Sequence, residues 1–162
     1  MIRAVLDTSV LFSATLRDTL LRTAEARHYT PFWSPDITRE LSESLVRHKR
    51  ATPEKASYLV GEMNGAFVEA SVSEFGHLLD RIENHPKDRH VVAAAIAANA
   101  EIIVTSNIRH FPSEVLGPHG IASVTPDIFL CSLLAKNRMN WFASSVRRPP
   151  GTGRRQFPVR SS

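Results

Sequence analysis

With 162 residues and a single cysteine, Cys131, the chain can close no internal disulfide, which excludes a small secreted fold built on disulfide bridges. Its 43% apolar and 22% charged residues are ordinary for a globular core, and no apolar run approaches the ~20 residues of a membrane helix. The net charge of +4 is uneven: residues 136–162 hold seven basic residues and no acid, while acids exceed bases over residues 1–135.

In chain order, Ile2–Leu6 reads as a strand buried on both faces, as parallel strands are. It ends on a carboxylate, Asp7. Arg3 and Asp7 also interrupt the N-terminal apolar stretch, so no signal peptide is expected and a cytoplasmic protein is. Val10, Leu11, Ala14 and Leu20–Leu21 follow at helical spacing. Tyr29–Trp33 reads as a second strand. Ser34-Pro35-Asp36 has the form of a helix start, with Ser as N-cap, Pro in the first turn and an acid near the positive helix end. Ile37, Leu41 and Leu45 then mark the buried stripe. Thr52-Pro53-Glu54 and Thr125-Pro126-Asp127 repeat that start signal, so Asp36 and Asp127 read as capping charges. Val68–Val72 has a short β-branched alternation that suggests a strand, and His77–Ile82 suggests a helix. Asp88 opens an alanine-rich helix, DRHVVAAAIAANA, with Asn99 as a left-handed stop. Glu101–Thr105 reads as a strand, Ser106–Pro112 as a loop, Ile121–Val124 as the last strand. The final helix runs to about Ala135, with Cys131 in its apolar core face.

This alternation of strands and helices implies an α/β fold with a central, mostly parallel sheet flanked by helices. We expect one domain over residues 1–135 and a basic C-terminal tail over 136–162, a candidate for disorder. Ligands of such sheets bind beyond the carboxyl ends of the strands. Asp7 stands at one such end, and Asn107 follows another.

Three acids adjoin buried segments: Asp7 after the first strand, Glu40 beside Leu41 of the apolar stripe, and Asp88 at the start of the alanine-rich helix. Each alone has a plain structural reading, as a helix-end charge for Asp7 and Asp88 and as a solvated helix charge for Glu40. If they converge, mutual repulsion and dehydration call for a cation, and hard oxygen donors favour Mg²⁺ or Mn²⁺. The histidines form no Cys–His ligand pattern, which argues against zinc. Glu43, three residues after Glu40, is a candidate for the outer rim of such a site.

The stretches VLDTSVL, SPDITRELSESL and KDRHVVAAAIAANAEIIVTSNIRHFP resemble the PIN-domain family of nucleases, and most of all bacterial toxins of the VapC type. The resemblance covers roughly residues 1–135 and implies a three-layer PIN-like fold and Mg²⁺- or Mn²⁺-dependent hydrolysis of RNA, leaving a 5′-phosphate and a 3′-hydroxyl. Carried over by motif, the catalytic and metal-binding positions fall on Asp7, Glu40, Asp88 and Asn107. The last is often Asp in the family, so Asn107 removes one negative charge. Thr8, Ser9, Thr105 and Ser106 are candidates to position water or phosphate. Arg89, His90, Arg109 and His110 are candidates for RNA contact, with support from Arg47–Arg50 and the tail arginines Arg147, Arg148, Arg154 and Arg155. The resemblance further implies a cognate antitoxin, which could reach the carboxylates with an Arg side chain, and a homodimer. The alternative is a degenerate PIN-like module that binds RNA or a partner without cutting. A phosphotransfer enzyme of the haloacid-dehalogenase type is disfavoured, because Ser9 stands where that chemistry needs a second acid.

Overall fold

The structure, a computed structural model, describes residues 1–135; the tail expected over 136–162 and its arginines lie outside the described residues. The chain forms β1 (Arg3–Leu6), α1 (Thr8–Leu11), α2 (Ala14–Glu25), β2 (Thr30–Phe32), α3 (Pro35–Arg47) and α4 (Pro53–Ala66). It continues with α5 (Arg89–Ala97), β3 (Ile102–Val104), α6 (Ser113–Leu116), β4 (Ala122–Val124) and α7 (Pro126–Leu134). The four strands make one sheet in the order β2-β1-β3-β4, parallel at every junction. This is the expected α/β architecture. β1 and β3 are the central strands, and Ala4, Val5, Leu6, Ile102, Ile103 and Val104 are fully buried. Each large apolar side chain sealed in this way contributes about 1.5–3 kcal/mol.

Three of the helix starts read from the sequence form as expected. Ser34, Thr52 and Thr125 each accept a backbone N–H from three residues on, and a proline follows each of them. Asn99 adopts a left-handed conformation with φ 51° and ends the alanine-rich segment. Gly120, at φ 67°, lets the chain turn into β4 after a short 3₁₀ turn at Gly117–His119.

Four expectations are corrected. The first helix is two helices, because the Ser13 side chain caps a new start by accepting from the Leu16 N–H. Val68–Val72 is not a strand: it makes a single parallel bridge, Ser71 to Trp33, and Val68 stands 80% exposed. A β-branched alternation needs a sheet face to pack on, and here it has none. The segment expected around His77–Ile82 is a 3₁₀ helix, Gly76–Arg81. Cys131 is exposed, because α7 turns Phe129 and Ser132 inward instead.

Candidate active site

The sheet register builds the floor of a cleft. Leu6 pairs with Val104, so the next residue of each strand, Asp7 and Thr105, also stand side by side. The Thr105 hydroxyl donates to Asp7 Oδ2 at 2.8 Å, and the Ser9 hydroxyl donates to the same oxygen at 2.8 Å. The Ser106 and Asn107 backbone N–H groups donate in turn to Ser9 Oγ and Thr105 Oγ1, both at 3.0 Å. Asp7 is nonetheless 6% exposed. Burial pushes its carboxyl above the ordinary aspartate value and the charge of Asp88 adds to that push, while the two hydroxyls and the Thr8 backbone oppose it.

One wall is a face of α3. Glu40, Ser44 and His48 recur at four-residue spacing and all line the cleft. Both oxygens of Glu40 are engaged: Oε1 with His90 Nε2 at 2.8 Å, and Oε2 as acceptor from the Thr8 hydroxyl at 3.1 Å. Desolvation is the largest influence on Glu40 and pushes its carboxyl up, but the His90 bond and charge together with the Thr8 hydroxyl outweigh it and hold the group below its ordinary value. Desolvation likewise pushes the His90 imidazole down, and the bond and charge of Glu40 outweigh it, so His90 is raised. The two partners favour the same ionised pair. The other ring nitrogen of His90, Nδ1, is buried without a hydrogen-bond partner.

Asp88, His110, His85, Lys87 and Asn107 line the cleft as well, around a volume of about 480 Å³. Asp88 Oδ2 lies 3.1 Å from His110 Nδ1, and the His110 ring stacks on His85 with centroids 6.4 Å apart. A contrast in helix capping sets three of these residues apart. Asp7, Asp88 and Asn107 all occupy N-cap positions, and none makes a side-chain capping bond. Ser13, Ser34, His85, Thr52 and Thr125 occupy the same position elsewhere and all make it. Asp7, Asp88 and Asn107 thus make no capping bond although their side chains are suited to it, the Asp7 carboxylate keeping only a bond to the Thr8 backbone, and all three line one cleft.

A family model described as a PIN domain matches residues 3–109. The chain belongs to the PIN-domain family. A separate match of 60 residues at 47% identity is to a protein of Mycobacterium tuberculosis (strain ATCC 25618 / H37Rv) named "Putative ribonuclease VapC50", covering 37% of this chain and 36% of that protein. The matched stretch thus spans about a third of that relative's length.

In this PIN domain, the residues singled out from the sequence divide cleanly. Asp7, Thr8, Ser9, Glu40, Asp88 and Asn107 line the cleft. Thr105 lies beneath it, and Ser106 contributes its backbone N–H. Arg89 turns away, donating through Nε to the Asn84 carbonyl at 3.1 Å. Arg109 is exposed and off the cleft wall. Glu43 is 65% exposed and faces Arg39 at 4.0 Å, a solvated pair. Lys87, Phe12 and Ser44 line the cleft although nothing in the sequence singled them out. The four-residue spacing from Glu40 through Ser44 to His48 was the available signal.

Among the described residues, no group of three or more His, Cys, Asp or Glu side chains stands close enough together to hold a metal ion. The donor set nonetheless fits a hard divalent cation in kind: two carboxylates that feel each other's charge and an amide oxygen, with no thiolate. Asp7 Oδ1 takes part in neither hydroxyl bond.

Proposed function

We propose that this PIN domain is a metal-dependent endoribonuclease, the toxin of a type II toxin–antitoxin pair, acting in the cytoplasm as a homodimer restrained by a cognate antitoxin. The observation that carries the catalytic part is the convergence of Asp7, Asp88 and Asn107 on one cleft with their capping bonds unmade, beside Glu40. The toxin, its partner and the dimer rest on the likeness to VapC-type proteins. Residues 1–135 form the nuclease domain in this reading.

Asp7, Asp88 and the Asn107 amide oxygen would hold a Mg²⁺ or Mn²⁺ ion, with Glu40 at its outer side. Such an ion, when bound, polarises a phosphoryl oxygen and eases ionisation of the attacking water. Thr105 and Ser9 fix the Asp7 carboxylate through Oδ2 and leave Oδ1 for the ligand. Glu40 is held as an anion by His90 and Thr8, and the second lone pair on each oxygen remains to orient a water and take up its proton. Lys87 lines the same cleft and supplies positive charge beside the acids, where a phosphate chain must lie, and the rings of His85 and His110 line it as well.

The non-cutting alternative draws on two features: Glu40 is already bonded through both oxygens, and Asn107 stands where a fourth acid would add charge. Digestion of structured and unstructured RNAs by the purified protein with Mn²⁺, Mg²⁺ or chelator separates the two. Cleavage that needs the metal and disappears in Asp7→Asn supports the nuclease. Cleavage indifferent to chelator removes the metal mechanism, and tight RNA binding without cleavage favours the binder.

A further inference from the structure

The face of α3 that carries Glu40 continues away from the acids to Ser44 and His48, so the cleft runs on for about 12 Å of helix beyond the carboxylates. At its far end the His48 ring meets Phe12 edge to face, with centroids 5.3 Å apart and planes at 72°. Both rings line the cleft. His48 is fixed there by a 2.8 Å bond between its Nδ1 and the Ser44 carbonyl, and Phe12 is only partly buried, with the rest of its ring on the cleft side. The acids and hydroxyls have no use for an aromatic corner, and none of the bonds that order Asp7 or Glu40 passes through it.

We propose that Phe12 and His48 form a stacking subsite for one unpaired nucleobase of the bound strand, beyond the acids along α3. This rests on the ribonuclease reading and extends it to the residues that hold a base. Aromatic side chains stack on any exposed base, because every base has a π-face, and RNA-binding proteins read unpaired nucleotides in this way. A cleft of about 480 Å³ has room for a nucleotide. Lys87, which also lines the cleft, supplies charge for the phosphates of the strand.

The test is binding of fluorescent RNA pentamers, followed by anisotropy in an Asp7→Asn background that leaves the strand whole. Phe12→Leu, which keeps the buried part of the packing, and His48→Ala each weaken binding by about fivefold or more, whereas Phe12→Trp retains it. Replacing one base by an abasic site weakens binding to the parent by a similar factor and adds nothing in Phe12→Leu. A pre-formed duplex of the same sequence binds more weakly than the single strand. Equal affinities for all variants, or for duplex and single strand, overturn the subsite while RNA cleavage by the unaltered protein leaves the nuclease standing. If the unaltered protein neither binds nor cuts any RNA, the nuclease reading falls together with the subsite.

Discussion

The Thr105 hydroxyl reaches Asp7 Oδ2 at 2.8 Å across 98 residues of sequence, and both side chains are buried. The same hydroxyl accepts the Asn107 N–H at 3.0 Å. One β-branched residue at the end of β3 thus holds the strand β1 carboxylate and the loop that presents Asn107. Thr105→Val keeps the shape and removes both bonds. It leaves a buried carboxylate with one hydroxyl fewer and an N–H without its partner, at a cost of about 1–3 kcal/mol. Urea unfolding measures that loss; stability unchanged within error would show that these bonds do not hold the floor of the cleft.

Asp7 itself is predicted to oppose folding at neutral pH when no cation is present. Its carboxyl is raised above the ordinary 3.8, by burial first and then by Asp88. A raised folded-state value means stability that is fully present below about 3.8 and is lost as pH rises through the shifted value. Asp7→Asn keeps an oxygen to accept from Ser9 and Thr105 and removes the charge. In chelator at pH 7 it should unfold at the same or higher urea concentration than the parent, with the advantage shrinking toward acid. RNA cleavage should vanish in the same variant. A clear loss of stability at pH 7 would mean that the charge is compensated by something other than a cation.

The His90–Glu40 pair has its own pH window. Glu40 is lowered from 4.5, so its share of stability is present above 4.5 and lost as pH falls through the lower value. His90 is raised from 6.5, so its share is complete below 6.5 and lost as pH rises through the higher value. The pair should therefore support the fold most between about 4.5 and 6.5. The difference in unfolding free energy between the parent and His90→Leu should be largest in that window and narrow toward pH 8. A titration of the His90 ring by NMR with a midpoint at or below 6.5 would contradict it.

How far the sequence disclosed this arrangement depends on the range of the interaction. The strands were legible because Ile2–Leu6 and Glu101–Thr105 are short, mostly apolar runs, the form taken by strands buried on both faces. The Ser/Thr-Pro-acid starts were legible because a cap is decided within four residues. Asp7, Glu40 and Asp88 stood out by position, each beside a buried segment. The bond from His90 to Glu40 spans 50 residues and was hidden, as was the stacking of His85 on His110. Such contacts follow from how segments far apart in the chain are brought together, and no periodicity encodes that. The outward turn of Cys131 was misread for a related reason: nearly all of its helix is apolar, so composition alone did not mark which face meets the sheet.

Cation binding should be readable as stability, independently of catalysis. A ligand that binds the folded chain and not the unfolded one adds about 2.7 kcal/mol at a hundredfold excess over its dissociation constant. In this protein the gain should exceed simple screening, because a divalent charge near Asp7 also relieves the burial and the repulsion from Asp88 that raise its carboxyl. Mn²⁺ or Mg²⁺ should therefore raise the unfolding midpoint of the parent, and chelator should reverse the gain. Asp7→Asn and Asp88→Asn should each lose most of the response, and Asp36→Asn, whose carboxylate pairs with Arg39 at 2.9 Å, should keep it. Asn107→Asp restores a negative charge at the edge of the cleft and should strengthen the response. A midpoint shift that is the same in all four variants would reflect ionic strength alone, and the acids of this cleft would then have no claim on the ion.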